Sequence, residues 1–193
     1  MEIFLSLCLG VGLAACCGFR VFVPLLLSSI AIHFGWAHVD VGFEWMGTWT
    51  AIAVLATATV LEIGGYYIPW VDNLLDTIAA PAAVAAGTLL TTSFIEIDNP
   101  LLQWGLGLIM GGSTAGFIQV GTSLVRLASS KFSGGVANPV VSTAENFASI
   151  GFSIFTFWFP IIAFVFVILF VLWLIQKLIN RKSKIITLSS ISD

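Results

Sequence analysis

Apolar runs long enough to cross a bilayer follow one another along almost the whole chain, with only short polar stretches between them. They fall at about residues 3–32, 49–68, 74–90, 101–127, 140–157 and 161–179, each close to or beyond the roughly 20 residues a helix needs to cross hydrocarbon. A soluble globule has nowhere to hide so much apolar sequence. Hydrophobic residues make up 59% and charged residues 9%, too little polar surface to cover a water-facing fold. The expected class is an all-α polytopic membrane protein: one domain over residues 1–193, a compact bundle of six helices with no room for a separate soluble domain.

The last boundary is the hardest to place, because residues 138–180 also read as one very long helix. Pro160, within TFWFPII, is the natural site for a turn. Charge supports the cut. The tail at 180–193 carries Arg181, Lys182 and Lys184, with Lys177 just before it, and the other basic residues outside span centres are Arg126 and Lys131. The segments around 33–47 and 91–103 hold Asp40, Glu44, Glu96 and Asp98 but no Lys or Arg. Six spans put all basic clusters on one side with both termini cytoplasmic, as the positive-inside rule asks; five would put the basic tail outside. The first span lacks a basic leader and is interrupted by Arg20, so it reads as uncleaved rather than as a secretory signal. Cys8, Cys16 and Cys17 all lie in it, too close together to staple distant segments. A net charge of -3 without a basic patch argues against nucleic acid.

Two segments share a pattern: CCGFRVFVPLLLSS at 16–29 and TAGFIQVGTSLVRLASS at 114–130, with Gly18-Phe19 matching Gly116-Phe117. Taken as a repeat, they make a 3+3 inverted unit, a plan common among transporters; taken as chance, they are only recurring small and aromatic residues. Gly107, Gly111 and Ala115 recur at i+4, as do Ala79, Ala83 and Gly87, which suits close helix packing. The run GLGLIMGGSTAG also permits a broken helix lining a cavity, although packing is the stronger reading.

Charges within apolar spans are expensive and should face a partner or a wet interior. Asn138, Ser142, Glu145 and Ser149 are spaced 4, 3 and 4 and share one helical face, with Asn146 beside it; Gln119, Ser123, Arg126 and Ser130 repeat that spacing. Arg20 is expected to pair with an acid rather than clamp an anionic head group. Glu62, near the end of its span, suits a salt bridge to Arg20 or Arg126 as well as a transport role. Asp72 suits an N-cap of the third span. Asp76, one turn deeper, is harder to explain structurally, since two neighbouring carboxylates resist ionising together unless a cation lies between them. Glu145 is the leading functional candidate, balanced against an internal ion pair. His33, His38, Asp40 and Glu44 share a loop but match no closed metal-ligand spacing, and Trp36, Trp45 and Trp49 give that loop an interfacial character. No nucleophile–base pair, phosphate loop or HExxH motif appears, so no enzyme and no cofactor are expected.

The strings GLAACCGFRVFVPLL, LEIGGYYIPWVDNLLDTIAAP, GGSTAGFIQ and SGGVANPVVSTAEN resemble a small bacterial inner-membrane family known as a domain of unknown function. The resemblance runs to about Ser149 and leaves the tail after Phe155 without matching strings. It implies a multi-span inner-membrane protein and no substrate. From the residues, the leading expectation is a small transporter or channel-like permease, compatible with a homodimer. Its interior site would comprise Glu62, Asp72, Asp76, Asn138, Ser142, Glu145, Asn146 and Gln119, with Arg20 and Arg126 as counter-charges, for a proton, a cation or a solute coupled to one. The alternatives are a lipid-handling protein, a scramblase or carrier gripping lipid phosphate through Arg20 and Arg126, and a scaffold that transports nothing.

Overall fold

A computed structural model describes residues 2–133 and 137–189. Those residues contain helices and no strand: α1 Glu2–Cys17, α2 Phe22–His33, α3 Trp49–Gly65, α4 Pro69–Phe94, α5 Pro100–Leu106, α6 Ser113–Ser133, α7 Asn138–Trp158 and α8 Pro160–Ser189. Pro69, Pro100, Pro139 and Pro160 each sit in the first turn of a helix, where a missing N–H has no intrahelical partner to lose. Two helical stretches, Leu74–Phe94 and Pro100–Lys131, are long and apolar enough to cross a membrane; Ile3–Cys17, Phe22–His33, Trp49–Gly65 and Pro160–Gln176 are apolar but shorter.

The first expected span, 3–32, is two helices rather than one. Residues 18–21 leave the helical path between α1 and α2, and the neighbours on either side show that the chain turns back there. The start of α2 meets Glu62 near the end of α3, while the ring of His33 at its end lies tilted against Trp49 at the start of α3, ring centroids 4.3 Å apart. Thus α2 runs antiparallel to α3. Along α1, Gly10 faces Thr91 and Ala14 faces Gly87, so α1 runs antiparallel to α4. Asp40, between α2 and α3, donates its N–H to Ser93 O near the end of α4 (2.8 Å). The start of α1 and the end of α2 therefore lie at the same end of the bundle, and α1 and α2 form a hairpin whose tip carries Arg20.

That shared end is the acidic one. The remaining helices alternate between it and the basic end marked by Lys131: α3 and α5–α6 run toward the basic end, α4 and α7 away from it. Phe152 of α7 lies 5.6 Å from Phe166 of α8, and Phe4 of α1 lies 6.3 Å from Phe164, so the chain folds back at Phe159 and α8 heads for the basic end. Within the bundle, α1 starts at the acidic end and α8 runs toward the basic one. The backbone of α8 stays helical through Ser189, beyond the expected limit at 179. The side chains of Lys177, Arg181, Lys182 and Lys184 lie outside the described residues.

The glycine-rich run takes the packing role without breaking the helix. Gly107–Gly112 continues α5 into α6 as a π-helical stretch, a wider turn often found at functional sites. It lies against α4 so closely that a Cβ at Gly111 would collide with Gly87 O and the Thr91 hydroxyl, and one at Gly107 with Thr92. The two segments resembling each other in sequence take different shapes, since residues 18–21 turn while 114–130 stay helical throughout.

Candidate functional site

The hairpin tip brings its charge into the middle of the bundle, where four other helices deliver theirs. Arg20 is fully buried. Its Nε donates to Asn146 Oδ1 (2.5 Å), its Nη2 to Ser142 O (3.1 Å) and its Nη1 to Phe19 O (3.4 Å); Nη1 also pairs with Glu145 Oε2 at 3.1 Å. From α6, Arg126 places Nε 3.1 Å from Glu145 Oε1 and Nη2 against Glu145 Oε2, while Nη1 donates to Asp72 Oδ1 and Asp76 Oδ1, both at 3.0 Å. The fork on Glu145 is the bidentate geometry for which a guanidinium is suited. Glu145 thereby joins both arginines, and the pairing expected for Arg20 is present.

Tyr66, at the turn after α3, was missed in the sequence because an aromatic there has a plain interfacial reading. Its ring centroid lies 3.9 Å from the Arg20 guanidinium carbon and 4.0 Å from that of Arg126. One ring thus contacts two like charges through its electron-rich faces. Tyr67 follows, with its hydroxyl 2.9 Å from Thr143 Oγ1 and accepting from Asn146 Nδ2 at 3.5 Å. At the edge, Asn138 Nδ2 donates to Ser130 Oγ (3.1 Å) and to Asp72 Oδ2 (3.4 Å). Ser142 Oγ is buried on the same α7 face without a hydrogen-bond partner.

Three expectations need correction. Glu62 makes no salt bridge with either arginine; its Oε1 accepts from Val21 N–H (2.7 Å) and its Oε2 from Phe22 N–H (2.9 Å). It is a capping group supplied by a different helix, placed where the tip leaves donors without intrahelical acceptors. Asp72 does not cap α4: the helix starts at Pro69 after Ile68, and Asp72 N–H already bonds Ile68 O at 2.8 Å, leaving the carboxylate for Arg126. Gln119 stands apart from the cluster, its Nε2 turned to Ser123 Oγ at 3.4 Å.

Electrostatically the group is unbalanced. Arg20 and Arg126 carry two positive charges against four negative ones on Glu62, Asp72, Asp76 and Glu145, which leaves a formal excess of two negatives when all are ionised. The side chains of Arg20, Arg126, Asp72 and Glu145 are at most 7% exposed, whereas that of Asp76 is 29% exposed. Asp76 is where the cluster meets its surroundings.

At the acidic end, Gln103 is buried and its Nε2 lies 2.7 Å from Asp40 Oδ2 and 2.8 Å from Ile95 O, clasping the long loop to the end of α4. His33 Nδ1 is 2.7 Å from Gly47 O. With His33 and Asp40 so engaged, the loop's acids and histidines do not converge, and among the described residues no three His, Cys, Asp or Glu side chains are placed to hold a metal ion. Cys8, Cys16 and Cys17 are buried free thiols.

No curated protein and no solved structure matches the chain. The chain belongs to the family described as Domain of unknown function (DUF4126), whose model matches residues 7–180 and so takes in the beginning of α8 as well as the strings that end near Ser149.

Proposed function

We propose that the protein is a small multi-span permease of the bacterial inner membrane that moves a proton, or a cation or solute coupled to one, through this interior cluster. The observation that carries the reading is the buried excess of carboxylates over guanidiniums with Asp76 at its accessible edge. A scaffold that needs ion pairs only to fix helix register has no use for unmatched charge, which costs several kcal/mol to bury. In the proposed topology α3, α4, α5–α6, α7 and α8 cross the bilayer, and the α1–α2 hairpin enters from the acidic side. Large apolar side chains exposed along these helices, such as Val60, Leu61, Ile109, Phe147 and Leu169, suit contact with lipid. The positive-inside rule then puts Lys131 and the basic tail in the cytoplasm.

Asp72 and Asp76 share Arg126 Nη1, so the two carboxylates compete for one donor. Protonation of Asp76 gives up its claim on Arg126; deprotonation restores it. Coupled to a change in which side the cluster faces, this is a proton-linked alternating-access cycle. The lipid-phosphate reading is less well supported, since internal acceptors already take three hydrogen bonds from Arg20, which also pairs with Glu145, and four from Arg126.

The test is flux in sealed proteoliposomes with a pH-sensitive dye inside and a panel of monovalent and divalent cations outside. Wild type should move protons in a cation-dependent way, and Asp76→Asn should abolish the movement while remaining folded. An inert wild type refutes the permease reading. Lipid scrambling lost in Arg20→Gln would then establish the lipid-handling alternative, and variants that only lose stability would leave the scaffold.

A further inference from the structure

A cavity of about 410 Å³ lies between α6, α7, α8 and the hairpin tip, and Glu145 is one of its walls. A second, of about 360 Å³, shares Phe19, Ile118, Ala148 and Phe170 with it, so the two form one lateral recess reaching the charged cluster from the side of the bundle. Its chemistry is uneven. Phe19 at the tip and Phe170 and Trp173 on α8 supply aromatic faces, the rest is mostly aliphatic, and the polar side chains are few, chiefly Thr122 and Glu145 beside the indole N–H of Trp173. A recess of this size, apolar with a few placed polar groups, has the composition of a small-molecule site.

Charge decides the occupant. Behind the wall stand four carboxylates against two guanidiniums, and Glu145 accepts two hydrogen bonds from Arg126 and pairs with Arg20 at 3.1 Å, which leaves part of the roughly four positions on its oxygens open. An anion entering here faces net repulsion. A neutral chain gains only apolar contact. A cation with an apolar body gains apolar contact, the faces of the aromatic rings and the attraction of the unbalanced acids. We propose that the recess binds a lipophilic organic cation, one with a single delocalised or alkylated positive centre, as the solute exchanged against protons. The transport half rests on the permease reading; the binding half does not.

The experiment is titration calorimetry on the purified full-length protein in detergent, with tetraphenylphosphonium and its anion of the same shape, tetraphenylborate. Tetraphenylphosphonium should bind wild type at least about tenfold more tightly than tetraphenylborate, the scale of one cation–π contact plus the charge term. The cavity is addressed with Gly121→Leu. A Cβ at Gly121 meets only Leu174 Cδ1, at 3.8 Å, so the backbone accepts the substitution while the leucine fills space in the recess. Affinity should fall about tenfold or more, with the thermal unfolding midpoint held near wild type as the check on folding. Phe170→Ala, which widens the recess and removes a ring, serves as a second variant and should also weaken binding. Equal binding of the two ions overturns the inference and identifies a non-selective acyl-chain groove; unchanged tetraphenylphosphonium affinity in both variants overturns it by placing the ligand elsewhere. Proton flux without tetraphenylphosphonium binding sinks this inference alone, and binding without flux sinks the permease reading alone.

Discussion

Replacing Glu62 tests the hairpin directly. Its two oxygens accept from Val21 and Phe22 N–H at 2.7 and 2.9 Å, and the residue is only 7% exposed, so water is poorly placed to take over. Leaving a buried donor unmade costs about 1–3 kcal/mol, giving about 2–6 kcal/mol for both in Glu62→Ala. We expect about 3 kcal/mol, because the 12-residue α2 can shift to recover part of the loss. Glu62→Gln keeps one carbonyl oxygen and should lose about half as much. The assay is amide hydrogen exchange on the detergent-solubilised protein, read at Val21 and Phe22. Exchange there should quicken by about 5- to 150-fold in Glu62→Ala, the kinetic equivalent of 1–3 kcal/mol per opened amide, while amides in the middle of α4 change much less. Unaltered protection at Val21 and Phe22 would refute the capping argument. So would an equal loss of protection in Arg20→Gln, because Glu62 would then be acting as a counter-ion, not as a cap.

Arg126→Gln strips partners from Asp72, Asp76 and Glu145 together and should cost about 3–5 kcal/mol in thermal unfolding; Arg126→Lys should recover little of it, since an ammonium cannot reproduce the fork on Glu145. Tyr66→Leu should cost about 0.5–2 kcal/mol for each guanidinium that no longer faces an aromatic ring, whereas Tyr66→Phe keeps both ring faces and should stay within about 0.5 kcal/mol of wild type in the same assay. Gly111→Ala drives a methyl into Gly87 O and Thr91 and should destabilise by about 1–3 kcal/mol. At Gly64, where a Cβ meets nothing within 4 Å, alanine should be neutral or stabilise by up to about 1 kcal/mol.

Helix periodicity made the polar cluster legible wherever a residue's partner is dictated by its own helix. The stripe Asn138, Ser142, Glu145 on α7 and the residue Arg126 on α6 do lie on faces that meet, and Asp72 and Asp76, one turn apart, do share a partner. Gln119 shows the limit of that logic: it keeps the spacing of its stripe but stands two turns from Arg126, too far along α6 to join. The hairpin was illegible for a different reason. Its tip, Gly18-Phe19-Arg20-Val21, contains no proline and only one glycine, and both flanks are as apolar as any continuous span, so hydropathy alone joins them. Part of the break is local, because Pro24 in the first turn of α2 has no N–H to bond Arg20 O, and the rest is tertiary. Gly18 is pressed against Ala115 and Ile118 of α6, and Glu62 offers Val21 and Phe22 acceptors that compete with the helical ones. Neither influence has a sequence-local signature.

The hairpin also explains why so apolar a chain keeps its carboxylates close together. A turn in the bundle interior leaves backbone donors that lipid cannot satisfy, and a guanidinium on that turn adds a charge that lipid cannot tolerate. Glu62 answers the first cost, and Glu145, with Asn146 and Ser142 O, the second. Those two acids would balance Arg20 and Arg126 if nothing else were present. Asp72 and Asp76 are therefore the surplus, and both are held by the same nitrogen of Arg126, one buried and one at the edge. Structure alone accounts for the first pair of acids; the second pair, competing for a single donor, is the part of the cluster on which the proposed permease reading rests.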